Sequence, residues 1–238
     1  SLLESNIIVS KQSSKEIVEC IKKNISNNKA NKYFFNEDYN FVSMENDFFY
    51  YEDKYGSLKI PKPGMSGQFQ LENASTAIAS LRVLENLKIR DEQIINGIKN
   101  AYNSARLEEI KSGKLKDLVK NNTLIIDSSH NPGGSKALNE YLQTLNCNKH
   151  VIVGMMENKD HEKFINYFKN ISSLTVIDIP NQANAISGKK LKEKFKKFKN
   201  LNYVKTIEQA LKSLQLEKND IILITGSIYL AGEVLNLN

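Results

Sequence analysis

The sequence predicts an α/β protein whose carboxyl-terminal part is a parallel sheet crossed by helices. Two observations carry this. Beyond residue 105, short runs rich in Ile, Val and Leu alternate with stretches of helical periodicity, the rhythm of strand–helix–strand crossovers. One of those runs, Thr123-Leu124-Ile125-Ile126, leads directly into Asp127-Ser128-Ser129-His130-Asn131-Pro132-Gly133-Gly134 and then a helical pattern. An acid and a histidine thus sit between a strand's carboxyl end and a helix start, the edge where open α/β sheets bind ligands. A plain Asn-Pro-Gly turn is the competing reading of that stretch.

The elements follow in order. Residues 6–10 read as a strand and 13–25 as a helix, with Ile17, Val18, Ile21 and Ile25 on one face. Residues 32–60, rich in Phe, Tyr, Val and Ile, read as short antiparallel strands with turns at Asn46-Asp47 and 53–56. Two helices follow, 73–87 and 91–102, each starting at a good N-cap, Asn73 and Asp91. The parallel domain then offers strands at 123–127, 151–155, 175–179, 202–204 and 221–225, with helices at 133–144, 160–169, 187–198 and 206–214. The boundary is expected within 102–106, giving domains 1–104 and 105–238.

Composition narrows the function classes. The chain has 238 residues, 40% hydrophobic, enough for packed cores and too apolar for disorder. No run approaches the ~18 apolar residues a membrane helix needs, and no secretory leader opens the chain. Cys20 and Cys147 lack metal-site spacing, and two lone thiols suit a reducing cytoplasm. The net charge of +6 raises the question of nucleic acid. Yet Arg82, Arg90 and Arg106 are the only arginines among 33 basic residues, which reads as global lysine bias. In the densest lysine run, 189–199, Leu191, Phe195 and Phe198 keep helical spacing, leaving the lysines a solvated face.

Five ordered segments add a resemblance. Gly67-Gln68-Phe69-Gln70-Leu71-Glu72-Asn73-Ala74, Ser104-Ala105-Arg106-Leu107-Glu108, the Asp-x-x-His-Asn-Pro element at 127–132, Gly154-Met155-Met156-Glu157-Asn158-Lys159-Asp160 and Gly226-Ser227-Ile228-Tyr229-Leu230-Ala231-Gly232 occur in this order. Together they resemble the folylpolyglutamate synthase/dihydrofolate synthase family of Mur-type ligases. The resemblance implies a Rossmann-like carboxyl-terminal domain preceded by the tail of the family's central ATPase domain. It also implies an ATP-dependent ligase that joins L-glutamate to dihydropteroate or folate through an acyl phosphate. No Gly-x-x-x-x-Gly-Lys-Ser/Thr phosphate loop occurs in the chain. The chain also opens on Ser1. The expectation is a carboxyl-terminal portion whose missing amino-terminal half holds that loop and the Mg²⁺ ligands, so that the isolated chain is inactive. The alternative is a non-catalytic remnant or split subunit that binds nucleotide weakly and acts only with a partner.

By resemblance, Asn73, Arg106 and Asp127 contact ATP, His130 is catalytic and meets glutamate, and Ser227 contacts glutamate; no metal ligand is expected here. The residues admit other roles. Asn73 and Ser227 suit helix caps, Asp127 a turn, and His130 a turn satisfied by backbone. Arg106 matches phosphate bidentately, as Lys does not, or bridges to Glu108 or Glu109. The family's Pro-Gly-Arg is Ser-Ala-Arg here, which is expected to alter the local turn. Lys159 and Asp160 read as a loop ion pair and a cap.

Overall fold

The computed structural model describes residues 5–43, 47–84 and 87–238. The chain divides into two compact units, 1–102 and 103–238.

In the first unit, β1 (Asn6–Val9) is followed by α1 (Lys15–Ile25) and β2 (Asn31–Phe34), and the two strands pair in parallel. A meander follows: β3 (Tyr39–Ser43), β4 (Phe48–Asp53) and β5 (Gly56–Pro61), all antiparallel. The antiparallel expectation for 32–60 therefore holds from Tyr39 onward, whereas residues 32–34 belong to a parallel pair. The turn at Asn46-Asp47 falls partly outside the described residues. The chain turns at Gly67, φ +103°, into α2 (Phe69–Arg82) and ends the unit with α3 (Asp91–Lys99).

Two boundaries correct the sequence reading. α2 begins one turn before Asn73, because Leu71 extends the buried stripe of Ala74 and Ile78 backward and Gly67 supplies the entry turn. Asn73 is thus an interior helix residue, bonding Gln70 Oε1 at 3.0 Å, and caps nothing. α3 starts after Arg90, so Asp91 is its first residue, where a carboxylate meets the positive end of the helix dipole. Its side chain also bridges Arg82 at 3.0 Å, and Arg82 pairs with Asp53 at 2.8 Å.

The second unit opens with β6 (Glu108–Ile110) and α4 (Lys114–Leu118), neither expected from sequence. Then come β7 (Thr123–Ile126), α5 (Pro132–Gln143), β8 (Lys149–Val153), α6 (His161–Asn166) and β9 (Ser173–Val176). α7 (Gly188–Lys194), β10 (Leu201–Tyr203), α8 (Ile207–Ser213), β11 (Ile221–Thr225) and α9 (Ile228–Leu237) complete it. The six strands run β10-β9-β8-β11-β7-β6, all parallel except β6, which pairs antiparallel to β7. The expected alternation of parallel strands and helices is present, with β11 at its expected bounds and the other strand and helix ends shifted by at most four residues. β8 and β11 are buried at every position, as parallel strands covered on both faces must be. Leu124, Ile126, Ile152, Ile222 and Ile224 share one core cluster, and each fully buried aliphatic contributes about 1.5–3 kcal/mol. In α7, Leu191 and Phe195 are buried while most of the flanking lysines are exposed, the solvated face read from the sequence.

Candidate functional site

The carboxyl ends of β7, β11 and β8 lie side by side, and the turns after them are bonded together. The Gly226 N–H donates to the Ser129 carbonyl at 3.0 Å, and the Gly154 N–H to the Thr225 carbonyl at 3.2 Å. The turn at Gly226 has φ +108°, and a Cβ there would lie 2.6 Å from the Gly154 carbonyl oxygen, so only glycine fits. Asp127 and Ser227 therefore stand on the same sheet edge, each just past the end of its strand.

The Asp127 side chain points into protein. It is 1% exposed. One carboxylate oxygen accepts the Ser129 N–H at 2.7 Å and the other the Leu107 N–H at 2.9 Å. Two residues on, His130 is half-buried, with Nδ1 3.0 Å from the Ser128 carbonyl. A carbonyl accepts only, so Nδ1 carries a proton, and in the neutral ring Nε2 is then the nitrogen with the lone pair. Asn131 caps α5, its Oδ1 accepting from Gly134 N–H at 2.8 Å, and Pro132 occupies the first helical position. α5 thus presents a positive N-terminus at this edge.

Ser227 is the N-cap of α9, its Oγ accepting from Tyr229 N–H at 3.1 Å, and it is 1% exposed. Its hydroxyl proton remains available to an acceptor. Beside it opens a cavity of about 770 Å³, whose lining includes His130, Glu157, Lys159, Asn184, Lys190 and Ser227. Among the described residues neither Lys159 nor Lys190 forms an ion pair. The expected Lys159–Asp160 pair is absent: Asp160 caps α6 through the Lys163 N–H and pairs with the Lys163 ammonium at 3.1 Å. The helix geometry explains the exchange, since Lys163 lies one turn on from Asp160 on the same face. Two free ammonium groups against one free carboxylate, Glu157, leave the cavity net positive.

Arg106 is exposed, and among the described residues its guanidinium forms no hydrogen bond or ion pair. The bridge to Glu108 or Glu109 is not made; Glu108 Oε2 instead accepts the Ala105 N–H at 2.7 Å. Ala105 has φ +56°, the left-handed conformation that glycine adopts without strain. Alanine thus stands in the left-handed region at the position where the family motif has glycine. Asn73 lies in the first unit, exposed on α2.

Sequence reasoning missed Lys190 and Asn184. Lys190 is one lysine in a run of many, and nothing local marks it; Asn184 reaches the site because its carbonyl accepts the Glu157 N–H at 2.9 Å, a contact across two loops. A second cavity, of about 440 Å³ in the first unit, is lined by four acids, of which three are engaged, Glu37 with Lys22, Asp38 with the Phe34 N–H and Asp53 with Arg82, and the fourth is Glu52.

A parallel sheet whose carboxyl edge carries a positive cavity, an imidazole nitrogen without a protein partner and an unpaired guanidinium is an α/β domain chemically suited to anionic ligands. The chain belongs to the Mur ligase family: the family profile described as "Mur ligase, glutamate ligase domain" matches residues 106–228. Among curated proteins none matches the chain. Solved structures do. E. coli FolC in complex with ADP, without folate substrate, is 22% identical with a TM-score of 0.74, covering 91% of this chain and 50% of that one. Mycobacterium tuberculosis folylpolyglutamate synthase complexed with ADP and AMPPCP gives 17% identity and a TM-score of 0.81, over 97% of this chain and 54% of that one. The bifunctional folylpolyglutamate synthase/dihydrofolate synthase from Yersinia pestis, complexed with AMPPNP and Mn ion, gives 19% and 0.76, over 96% and 52%. At these identities the likeness establishes the fold. The chain spans about half the length of these solved proteins.

Proposed function

We propose that this chain forms the glutamate-presenting part of an ATP-dependent ligase that joins L-glutamate to dihydropteroate or to a folate. The observation that carries the reading is the positive cavity at the sheet edge, where Lys159 and Lys190 match the two carboxylates of glutamate and His130 Nε2 faces an incoming amine. In the reaction a carboxylate oxygen of the acceptor takes the γ-phosphoryl group of ATP, releasing ADP. The glutamate amine then attacks the acyl carbon, the amide bond forms, and inorganic phosphate leaves. His130 Nε2 accepts the proton that the ammonium must lose before it attacks. Arg106 and the amino end of α5 suit the nucleotide's phosphates, and Asp127 and Asn73 complete the residues that the resemblance assigns to ATP. Among the described residues no group of three or more His, Cys, Asp or Glu is placed to hold a metal. The reading leaves Mg²⁺, the phosphate loop and the acceptor's pterin to an amino-terminal half.

The first unit supports such a partner. α1 has an apolar stripe, Ile17, Val18, Ile21 and Ile25, yet buries none of its residues. Among the described residues the β1–β2 sheet has two strands, and parallel pairs of that size rarely stand alone. Further parallel strands from a ligase amino-terminal half would pair with this sheet and cover α1. The same features favour a second reading, a split subunit without catalysis of its own.

The test is ADP release and labelled-glutamate incorporation by the purified chain with Mg-ATP and either dihydropteroate or a folate, alone and with a family amino-terminal half added. Turnover is expected only with both parts, and an Ile17→Asp chain, which keeps its own fold, should lose that rescue. Robust turnover by the chain alone would place the phosphate grip elsewhere. Failure of L-glutamate to perturb His130, Lys159 or Lys190 in an NMR titration would remove the glutamate site.

A further inference from the structure

One wall of the cavity beside Ser227 is a loop closed by a single carboxylate. Asp178 follows β9 and is half-buried. One of its oxygens accepts the Gly188 N–H at 2.6 Å, and the other accepts the Tyr203 hydroxyl at 2.9 Å. The first bond joins the end of β9 to the start of α7 and closes residues 178–188 into a loop. The second holds the carboxylate from β10. Both are charge-assisted, and so stronger than neutral bonds would be. Close approach explains why residue 188 is glycine: a Cβ there would stand 2.5 Å from the Tyr203 ring and 3.0 Å from the Ile177 carbonyl carbon. The middle of the loop is zipped to the turn after β8. There the Ile186 N–H donates to the Met155 carbonyl at 3.1 Å, and the Glu157 N–H to the Asn184 carbonyl at 2.9 Å. That turn runs on to Lys159, and the first turn of α7 carries Lys190; both lysines line the cavity. The Asp178 clasp is therefore one of the contacts that set the distance between the two ammonium groups.

We infer that Asp178 is a positioning residue that sets amino-acid specificity: by fixing the start of α7 against β9 it fixes Lys190 relative to Lys159, and with them the length of dicarboxylate that the cavity accepts. This rests on the reading that the two lysines meet the two carboxylates of glutamate. Among the described residues Asp178 does not line the cavity, so it acts through the start of α7. Aspartate, one methylene shorter, presents the same charges at a closer spacing. A held pair of ammonium groups tells the two amino acids apart, and a loosened pair does not.

The experiment uses the full chain labelled for NMR and titrated with L-glutamate and L-aspartate. In the wild type, a scalar coupling across the hydrogen bond should connect the Gly188 amide nitrogen with the Asp178 carboxyl carbon, and glutamate should bind more tightly than aspartate. Asp178→Ala should expose the Gly188 amide to exchange while the β8 and β11 amides keep their protection. Glutamate affinity should fall by about tenfold, the scale of one hydrogen bond to a charged group. Aspartate affinity should fall much less, so that the ratio between them shrinks toward one. Asp178→Asn should restore most of the ratio, because its carbonyl oxygen accepts the Gly188 N–H and its amide donates to the Tyr203 oxygen. Lys190→Gln should cost less in Asp178→Ala than in the wild type, as coupled sites require. Equal falls for the two amino acids, or an additive Lys190→Gln loss, would mark Asp178 as general support for the fold and overturn the inference. So would equal wild-type affinities, or absence of the coupling. Should Asp178→Ala not fold, Tyr203→Phe removes one of the two bonds and decides: a reduced ratio supports the inference and a wild-type ratio overturns it. The lysine variants separate this inference from the reading beneath it. If neither Lys159→Gln nor Lys190→Gln weakens glutamate, the glutamate site falls and the inference with it. If both weaken it while Asp178→Ala keeps the wild-type ratio, the inference alone falls.

Discussion

Gly226→Ala is the sharpest test of how the sheet edge is held. The residue has φ +108°, a region L side chains rarely adopt. The added Cβ would stand 2.6 Å from the Gly154 carbonyl oxygen and 3.0 Å from both Met155 Cγ and Val153 Cγ1. The first neighbour is backbone in the next strand's turn, which cannot swing aside. Backbone strain of this kind costs on the order of 1–3 kcal/mol. Overpacking against well-packed neighbours costs about 1–3 kcal/mol more. Stiffening of the unfolded chain offsets about 0.4–1 kcal/mol. The net expectation is a loss of about 1–5 kcal/mol, a large share of a typical domain's stability. Thermal unfolding of the whole chain, followed by the second unit's amide signals, measures it; about 2–4 °C per kcal/mol is the expected scale. A loss below about 1 kcal/mol would show that the turn relaxes freely and that the bonds joining Ser129, Gly154 and Thr225 do not fix the edge.

Ala105→Gly should stabilise the second unit by about 0.5–1 kcal/mol, since left-handed alanine costs roughly 1–2 kcal/mol and glycine's unfolded-state entropy returns part of it; denaturant midpoints check the sign. Burial, then the Asp53 carboxylate beside it, holds the Tyr51 phenol protonated well above its usual range. Its stabilisation is therefore complete below about pH 10, where an unfolded tyrosine is still protonated, and is lost as pH rises from there toward the folded value. Tyr51→Phe should flatten the alkaline unfolding profile of the first unit. Bonding to the Lys163 N–H and ammonium depresses the Asp160 carboxyl, so its support for α6 is present above the ordinary aspartate range and fades as pH falls through the depressed value; amide exchange of residues 161–163 below pH 4 reads this. Lys190→Gln should weaken L-glutamate binding several-fold, whereas Lys163→Gln, whose ammonium is engaged by Asp160, should not.

The parts legible in the sequence are those where local pattern and tertiary demand agree. The run Thr123–Ile126 is apolar because β7 is an inner strand of the sheet, and the helical spacing read over 133–144 belongs to α5, whose Asn131 cap needs no distant partner. β6 was not legible: three residues, Glu108–Ile110, are too few for a period, and only pairing with Ile126, Ile125 and Leu124 makes them a strand. The same holds for residues 31–34, whose aromatic content suits any strand, and whose parallel partner is set by β1 some 25 positions earlier. Asn73 misled because a good capping residue inside a helix looks like a start. The left-handed Ala105 could not be read at all, since alanine carries no preference for that region and the carboxylate that secures its turn lies twenty positions downstream of Leu107.

This division has a consequence for how substitutions at the edge should sort. The turns are shaped by groups bonded to protein backbone: the Asp127 carboxylate, the Gly226 backbone, the Ser129 and Thr225 carbonyls and the Asn131 cap. The groups that face solvent, Arg106, His130 Nε2, Lys159 and Lys190, contribute little or nothing to those turns. Changes to the first set should lower stability and ligand binding together, because the turn and its displayed side chain move as one. Changes to the second should lower binding at unchanged stability, since exposed side chains without partners contribute within about 0.5 kcal/mol. Paired measurements on Arg106→Ala and Gly226→Ala, unfolding and ADP titration on each, separate the two. If Arg106→Ala destabilised the second unit as much as Gly226→Ala, the guanidinium would be a brace for the fold, and its exposure would have been misread as availability to a ligand.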